Sequence, residues 1–386
     1  MKLNNFLLYI VYPILLFFIF SLFLSFKKIY IAICLTIIFL FINKKIKYIF
    51  LANVLILTFI LKFVFIFIDK ENIFSEIIYE KNYLYGVRNL NKTITSEGGD
   101  LQPFISEIKE NKENKEIKII TDNLGFRNKS GFKNQKYVLV GDSFIHNVRI
   151  SDEYLINNQL NKINSNKFYN ASLTTHDISN YLELIKFFKK QNNDTQFIMF
   201  IFAGNDFLNY KKVKDNYGSR LDNKLLNHYF ELKKFFNFHN KIGYLINLFK
   251  NKKSSQKITK SFISNTNFYF YNDYFISKDL NLSFSDDFKV YKNSIPDYII
   301  VIPTKAQIYC NKIEKYNCEF IDYGKIINNN FLFKDVPVYD STYYLKKFSE
   351  KNIDKGLFIF DKDDTHLNEI GIKQLSKFLN NILTNG

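Results

Sequence analysis

Residues 137–143 read YVLVGDS, four apolar residues followed directly by a Gly-Asp-Ser turn. A short run that is wholly apolar is typical of a parallel strand buried on both faces. Similar runs follow at residues 196–202 (QFIMFIF), 298–302 (YIIVI) and, less clearly, 336–339. Apolar residues at helical spacing occupy residues 178–190 and 367–383. This alternation predicts an α/β fold with a doubly wound parallel sheet and helices on both faces.

Polar residues follow two of these strands at the point where each strand ends. Residues 141–143 (GDS) follow the first and residues 203–206 (AGND) follow the second, while residues 363–366 (DDTH) precede the closing helix. Doubly wound sheets place their sites at the carboxyl ends of their strands. We therefore expect the three motifs to meet at one edge of the sheet.

In this order, the three motifs resemble those of the SGNH or GDSL hydrolase superfamily. The resemblance covers roughly residues 121–386, apart from an insertion at about 207–290 that is rich in Lys, Tyr and Phe. Membrane-anchored bacterial members have a turn similar to residues 125–127 (GFR) and a stretch similar to residues 301–309 (VIPTKAQIY). The resemblance implies an SGNH-type domain with a flavodoxin-like sheet at residues 136–386. We expect the insertion to be helical and to lie beside the site.

The resemblance also implies a role for each motif. Ser143 is the expected nucleophile, and the side-chain amide of Asn205 is expected in the oxyanion hole. His366 takes the serine proton and later returns it to the leaving group. Its acid partner is either Asp363 or Asp364, and their spacing from the histidine does not choose between them.

The remaining family motif departs from its usual form. Residues 170–174 (NASLT) lead to Thr175, where the family commonly has a glycine whose amide donates to the oxyanion. The amide of Thr175 can still donate, but a β-branched residue resists the positive φ that glycine permits. Thr175 is thus predicted in the oxyanion hole, with a less favourable backbone than glycine provides.

Two histidines near these motifs have simpler interpretations. His146 lies one helical turn after Ser143 and is interpreted as a pocket-wall or surface residue. His176 and Asp177 precede the helix that begins at Ile178, and we expect them to cap it. The chain has no Gly-rich phosphate loop, nucleotide fingerprint or metal-spaced cluster of His and Cys, so neither a cofactor nor a metal is predicted.

Residues 1–70 are almost entirely apolar and are predicted to form transmembrane helices. The stretches at residues 6–26 and 48–68 are long enough to cross the hydrocarbon core, whereas the stretch at residues 29–42 is short. We predict three spans, in which the short stretch also crosses; the alternative is two spans, in which it does not.

Lysines set the orientation of these spans. With three spans, the loop that holds Lys44, Lys45 and Lys47 faces the cytoplasm. A juxtamembrane connector at residues 71–135 and the domain that follows it then lie outside the cytoplasm, at the inner (plasma) membrane of a bacterium. With two spans this placement reverses.

The formal net charge of +16 does not indicate a nucleic-acid-binding protein. Residues 1–70 hold eight Lys and one Asp and account for +7 of it. The remaining +9 is spread over residues 71–386, mostly as Lys, with only four Arg. Specific contacts with bases and phosphates favour Arg. We therefore predict the lipid bilayer and a small-molecule or glycan ester as partners, and no nucleic acid.

Cys310 and Cys318 lie eight positions apart. In an oxidising compartment they can close a small loop as a disulfide, whereas two reduced thiols fit the sequence equally well. The spacing does not match a zinc site.

Together these features predict a membrane-anchored, extracytoplasmic serine esterase or O-acyltransferase that acts through an acyl-Ser143 intermediate. The resemblance and the topology favour acyl, often acetyl, esters of a cell-envelope glycan or lipid as substrates. The sequence does not choose between hydrolysis and transfer. The alternative is a catalytically silent SGNH-fold envelope protein that binds a glycan or another partner, which Thr175 and the aromatic, Lys-rich insertion allow.

Overall fold

The computed structural model of the protein describes residues 86, 88–101, 105, 114–165, 167–174, 176–207, 209–210, 258–272, 281–313, 318 and 321–385. These residues belong to one unit, formed by residues 73–215 and 254–386. The predicted membrane spans within residues 1–70 lie outside the described residues. Among the helices that are described, none is both long and apolar enough to cross a bilayer.

Strands and helices alternate along most of this unit. The strands are β1 (Asn91–Glu97), β2 (Asn114–Ile120), β3 (Tyr137–Val140), β4 (Phe168–Asn170), β5 (Gln196–Phe202), β6 (Asn209–Tyr210), β7 (Ile258–Ile263), β8 (Thr266–Tyr271), β9 (Ser283–Phe284), β10 (Tyr298–Ile302) and β11 (Val338–Asp340). The α-helices are α1 (Ser143–His146), α2 (Ile156–Asn164), α3 (Ile178–Gln191), α4 (Lys305–Tyr309), α5 (Tyr323–Asn328), α6 (Thr342–Asn352) and α7 (Glu369–Asn385). Short 3-10 helices lie at Asp152–Tyr154, Asp286–Tyr291, Cys310–Lys312 and Ile353–Lys355.

Five of these strands form a parallel sheet in the order β11-β10-β5-β3-β4. The α/β class and the parallel sheet predicted from the apolar runs are therefore confirmed. The strand order is that of flavodoxin-like sheets and is compatible with the predicted doubly wound arrangement. Val140, the last residue of β3, pairs with Met199 of β5, so the residues that follow these two strands emerge at the same edge.

The sheet is covered on both faces. Along β5, Met199 and Ile201 pack into one core together with residues of α3. Ile198 and Phe200 pack into a second core together with residues of α7. Successive side chains of a strand point to opposite faces, so a strand between two cores must be apolar throughout. That requirement explains the uniform apolar runs in the sequence.

The connector predicted at residues 71–135 contains an antiparallel pair of strands, β1 and β2. Ile94 of β1 shares a small core with Ile117 and Ile119 of β2. The alternation of residues 115–121 predicts β2. The sequence pattern does not predict β1, because NKTITSE is mostly polar and only one of its side chains is a large apolar one.

The expectation of a helical insertion is wrong for its longest described segment. Residues 258–271 form an antiparallel hairpin of β7 and β8. Ser264 and Asn265 between them both have positive φ, as a two-residue type I′ turn requires. Phe268 and Phe270 of β8 are buried in the core that α7 covers, and aromatic side chains favour strands over helices. Residues 211–257 of the insertion lie outside the described residues.

Cys310 and Cys318 form a disulfide, with their Cα atoms 5.4 Å apart. Cys310 lies directly after α4, so the bond closes the loop that follows this helix. Of the two states that the sequence allows, the structure has the oxidised one.

Arg127 of the GFR turn is fully buried and joins the segments around α1. Its Nε donates to Oδ1 of Asp152 at 2.8 Å, within a buried ion pair. Its two terminal nitrogens donate to the carbonyl oxygens of His146, Asn147 and Ile150 at 2.6 to 3.0 Å. The guanidinium therefore holds the end of α1 and the turn that follows it.

Replacing Arg127 with methionine should strongly destabilise the fold. Methionine leaves the Asp152 carboxylate buried without its counter-charge, and breaking a buried ion pair in this way costs about 3–5 kcal/mol. The free energy of unfolding in urea measures the loss. Arg88→Met, at an exposed arginine, is the matched control and should change that free energy by less than about 0.5 kcal/mol. An Arg127→Met protein with the wild-type midpoint would contradict this structural role.

Candidate active site

The turn after β3 places Ser143 at the edge of the sheet. Asp142 caps α1, because its Oδ1 accepts a hydrogen bond from the backbone N–H of Phe144 at 2.9 Å. Gly141 allows strand and helix to approach closely, since a Cβ there would lie 2.9 Å from Cγ1 of Ile145. Ser143 is the first residue of α1 and is half-buried. Its backbone N–H belongs to the first helical turn, where negative charge is stabilised.

Ser143, His366 and Asp364 form a hydrogen-bonded chain. Nε2 of His366 lies 2.9 Å from Oγ of Ser143, and Nδ1 of His366 lies 2.7 Å from Oδ1 of Asp364. An ionised carboxylate only accepts hydrogen bonds, so this contact assigns the proton of the neutral imidazole to Nδ1. Nε2 is then free to accept a hydrogen bond from the Ser143 hydroxyl, which is the arrangement that a general base requires.

Aromatic packing and a hydrogen bond to the neighbouring backbone hold the imidazole of His366 in place. The ring of Phe144 lies 4.6 Å from the imidazole, centroid to centroid, and in turn stacks on Phe202 at 3.5 Å. Nδ2 of Asn147, at the end of α1, donates to the carbonyl oxygen of Leu367 at 2.6 Å. The helix that carries the serine is thus bonded directly to the residue after the histidine.

Asp364 is almost fully buried and is the acid partner of His366. Nε of Arg149 lies 3.1 Å from Oδ2 of Asp364, and the backbone N–H of Asp100 donates to the same oxygen at 3.3 Å. Burial raises the pKa of Asp364, but the charge and hydrogen bonds of His366 and the charge of Arg149 together lower it to about 2. The acid is therefore ionised at neutral pH and can stabilise an imidazolium.

Asp363, the other acid that the sequence allows, has a different partner. Its Oδ2 accepts a hydrogen bond from the N–H of Gly99 at 2.8 Å, and its carbonyl oxygen accepts one from the N–H of Leu101 at 3.0 Å. Of the two acids that the sequence leaves open, the structure places Asp364, and not Asp363, in hydrogen-bond contact with His366. Neighbouring side chains of the loop project in different directions, and that of Asp363 faces residues 98–101.

The charges around His366 favour its protonated form. Burial lowers the pKa of His366, but the charge and hydrogen bond of Asp364, with the charges of Asp100 and Asp142, raise it to about 9. Oδ2 of Asp100 lies 3.8 Å from Nδ1 of His366. The imidazole is consequently a stronger base than an ordinary histidine.

The AGND turn lies beside the serine turn. Nδ2 of Asn205 is 3.5 Å from Oδ2 of Asp142, the residue before Ser143. Asp206 is buried, its Oδ2 accepts a hydrogen bond from the backbone N–H of Phe202 at 2.9 Å, and burial raises its pKa well above the usual range. Asp206 thus fixes the turn and leaves Asn205 exposed beside the serine. The role of Asn205 in the oxyanion hole stays a prediction.

The motif that departs from the family is described only in part. Thr175 lies outside the described residues, so the role of its amide also stays a prediction. Oγ1 of the preceding Thr174 lies 2.9 Å from Nδ1 of His146. His146 is buried, and burial lowers its pKa well below the ordinary value. Asp177 caps α3, as the sequence predicts.

Three charged residues at the site were not assigned a role from the sequence, although one of them, Lys305, lies in the stretch at residues 301–309. Arg149 and Asp100 both contact Asp364, but each lies far from it along the chain. Nζ of the buried Lys305 donates at 2.7 to 3.0 Å to the carbonyl oxygens of Tyr269, Asp361, Lys362 and Asp364. Burial lowers the pKa of Lys305 to about 8, although nearby carboxylates oppose this. The ammonium therefore binds the loop before His366 to β8.

Among the described residues, Asp100, Asp364 and His366 bring possible metal-ligating atoms within 4.8 Å of one another. Nδ1 of His366 is already hydrogen-bonded to Asp364. An ion at this position would have to displace the proton that the two residues share. The group fits an acid–base pair better than a metal centre.

The raised pKa of His366 has a consequence for the pH dependence of the ester turnover that the resemblance implies. A protonated His366 cannot accept the Ser143 proton, so kcat/KM should rise with pH. The midpoint should lie at about 9, the pKa of His366, instead of at 6.5, the pKa of an ordinary histidine. Asp364→Asn removes the strongest contribution to the raised pKa, so the midpoint should move to lower pH. It should also lower kcat by about 10⁴-fold, because the imidazole loses its orienting acid.

Asp363→Asn is the matched control, since the carboxamide oxygen can still accept from Gly99. It should leave the midpoint unchanged. The interpretation fails if the two variants shift the pH profile equally.

Comparison with models of protein families, with curated proteins and with solved structures gave no match. The resemblance to the SGNH hydrolases consequently rests on the GDS, AGND and DDTH motifs themselves. The chemistry of the site is inferred from the contacts among Ser143, His366 and Asp364.

Proposed function

We propose that the protein is a serine esterase or O-acyltransferase of the SGNH type, which acts through an acyl-Ser143 intermediate. The observation that carries the proposal is the chain of contacts from Ser143 through His366 to Asp364, at 2.9 and 2.7 Å. A half-buried hydroxyl, an imidazole and a buried carboxylate in this order are the groups that nucleophilic acyl transfer needs. The order of the strands and the position of the site at their carboxyl ends support a doubly wound fold of the SGNH type.

In the first half-reaction, Oγ of Ser143 attacks the ester carbonyl while Nε2 of His366 takes the hydroxyl proton. The imidazolium that forms is stabilised by the Asp364 carboxylate. The tetrahedral oxyanion accepts hydrogen bonds from the N–H of Ser143 and the side-chain amide of Asn205, and a donor of this kind contributes roughly 3–4 kcal/mol. His366 then gives its proton to the departing alcohol oxygen as the C–O bond breaks.

In the second half-reaction, an acceptor hydroxyl loses its proton to Nε2 of His366 and attacks the acyl carbon. The bond to Oγ of Ser143 breaks, and the serine recovers its proton from the imidazolium. Water as the acceptor gives a free acid, and a sugar hydroxyl gives a new ester. Both outcomes use the same residues, so the proposal includes both.

The proposed substrates are acyl, often acetyl, esters of a cell-envelope glycan or lipid, which follows from the resemblance and from the proposed location. The catalytic domain would lie outside the cytoplasm of a bacterium, anchored by residues 1–70. The disulfide between Cys310 and Cys318 supports this location, because disulfides persist in oxidising compartments and are rare in the cytosol.

A fluorophosphonate probe tests the nucleophile directly. The wild-type protein should be labelled once, at Ser143, and Ser143→Ala should not be labelled. Ser130→Ala, at an exposed serine outside the site, is the control and should be labelled like wild type. Turnover of p-nitrophenyl acetate should fall by about 10⁶-fold in Ser143→Ala and in His366→Ala, with little further loss in the double variant, because the residues act as a unit.

Labelling that persists in Ser143→Ala would exclude this site as the source of the activity. A wild-type protein that is folded but neither labelled nor active would instead favour the catalytically silent binding module.

Reporter fusions test the proposed location. An enzyme reporter that is active only after export should be active when fused after Lys70, because three spans place this residue outside the cytoplasm. The same reporter fused after Lys45, in the predicted cytoplasmic loop, is the control and should be inactive. The reverse pattern would place residues 71–386 in the cytoplasm.

A further inference from the structure

The loop at residues 98–101 (GGDL), which follows β1, docks onto the loop that carries the catalytic acid. The N–H groups of Gly99 and Leu101 both donate to Asp363, to its Oδ2 and to its carbonyl oxygen. The N–H of Asp100 donates to Oδ2 of Asp364 at 3.3 Å. Gly99 permits this approach, because a Cβ there would lie 2.0 Å from the carbonyl oxygen of Asp363.

The Asp100 side chain turns toward the same loop. Its Oδ1 accepts a hydrogen bond from the N–H of Thr365 at 2.9 Å, and its Oδ2 accepts one from the Thr365 hydroxyl. The same Oδ2 lies 3.8 Å from Nδ1 of His366. This is too long for a direct hydrogen bond but close enough for a strong charge interaction. The carboxylate thus fixes Thr365, between the acid and the base, and faces the base itself.

We propose that Asp100 is a second carboxylate of the site, a positioning residue that orients the loop of His366 and stabilises its imidazolium. The inference rests on the proposed function, in which His366 gains a positive charge each time it takes a proton. Asp364 supplies the direct hydrogen bond, and Asp100 adds a second negative charge on the Nδ1 side of the ring. Because Asp100 lies on that side, it leaves Nε2 to the serine and the substrate.

The imidazole of His366 is surrounded by both positive and negative charges, and Asp100 adds to the negative ones. Charged groups from several elements act on His366 and its loop. Nε of Arg149 contacts Asp364, Nζ of Lys305 contacts the carbonyl oxygen of Asp364, and the charge of Asp142 at the start of α1 acts on His366. Asp363 and Asp364 belong to the loop itself. Burial and the charge of Asp364 raise the pKa of Asp100, although 39% of its side chain is exposed. Asp100 lies in the connector, whereas the other charged groups named here lie in the domain that follows it.

Asp100→Asn tests the proposal, because it removes the charge and keeps the size. A carboxamide can still accept from the N–H of Thr365 and can donate to its hydroxyl, so the loop contacts survive. The pKa of His366 should fall by ~1 unit, since a lost anion favours the neutral imidazole. NMR titration of the histidine ring signals in the full chain measures this pKa, with His366→Ala to assign the signal. The midpoint of kcat/KM should move to lower pH by the same amount, with KM unchanged.

Two further variants make the outcome decisive. Asp363→Asn removes one charge from the same loop without facing the imidazole and should leave the pKa of His366 unchanged. Asp100→Glu keeps the charge and should restore most of the wild-type pKa. An unchanged pKa in Asp100→Asn, or an equal fall in Asp363→Asn, overturns the proposal.

The titration does not depend on turnover, so the two proposals fail separately. The pKa of His366 could fall in Asp100→Asn while the fluorophosphonate fails to label the wild-type protein. That result would overturn the esterase function and support the role of Asp100. If the wild-type protein is labelled and active but the pKa of His366 does not fall in Asp100→Asn, only the role of Asp100 is overturned.

Discussion

The guanidinium of Arg127 is the group on which the position of the serine depends. The helix that carries Ser143 has only four residues, too few to hold itself in place through its own hydrogen bonds. Arg127 binds the carbonyl oxygens of His146 and Asn147 at its end, and Asp152 supplies the counter-charge. Asn147 is then oriented to donate to the residue after His366. Serine and histidine are thereby linked through one buried arginine.

The loop before the histidine depends on a second buried cation. Lys305 donates to four carbonyl oxygens, three of them within residues 361–364. Buried carbonyl groups without partners are costly, so the ammonium compensates a loop that has little regular structure of its own. The two cations act on opposite sides of the same contact: Arg127 holds the serine side, and Lys305 holds the histidine side. The segments that the two cations hold meet at the 2.9 Å contact between Nε2 of His366 and Oγ of Ser143.

Much of the sheet and the meeting of the serine and histidine motifs could be predicted from the sequence, because both depend on local patterns. The strands between two cores are uniformly apolar, and the GDS, AGND and DDTH motifs follow or precede recognisable elements. The choice between Asp363 and Asp364 could not be predicted, since it depends on a loop 264 residues away in which the N–H of Gly99 binds the carboxylate of Asp363. Strand β4 is three residues long and β1 is mostly polar, so neither leaves a clear pattern. Asp100 and Arg149 were missed because their partners are distant in sequence.

Ser143 and His366 lie 223 positions apart along the chain. This separation determines when, in the proposed function, Ser143 can first be activated during synthesis. A ribosome that adds about 5–20 residues per second needs roughly 10 to 45 seconds to reach the histidine after the serine has been made. During that interval His366, the base of the proposed function, is absent and cannot take the Ser143 proton. Contacts between residues so distant in sequence also form slowly. In the proposed function, the order of translation therefore delays the activation of Ser143 until His366 has been made and its loop has folded.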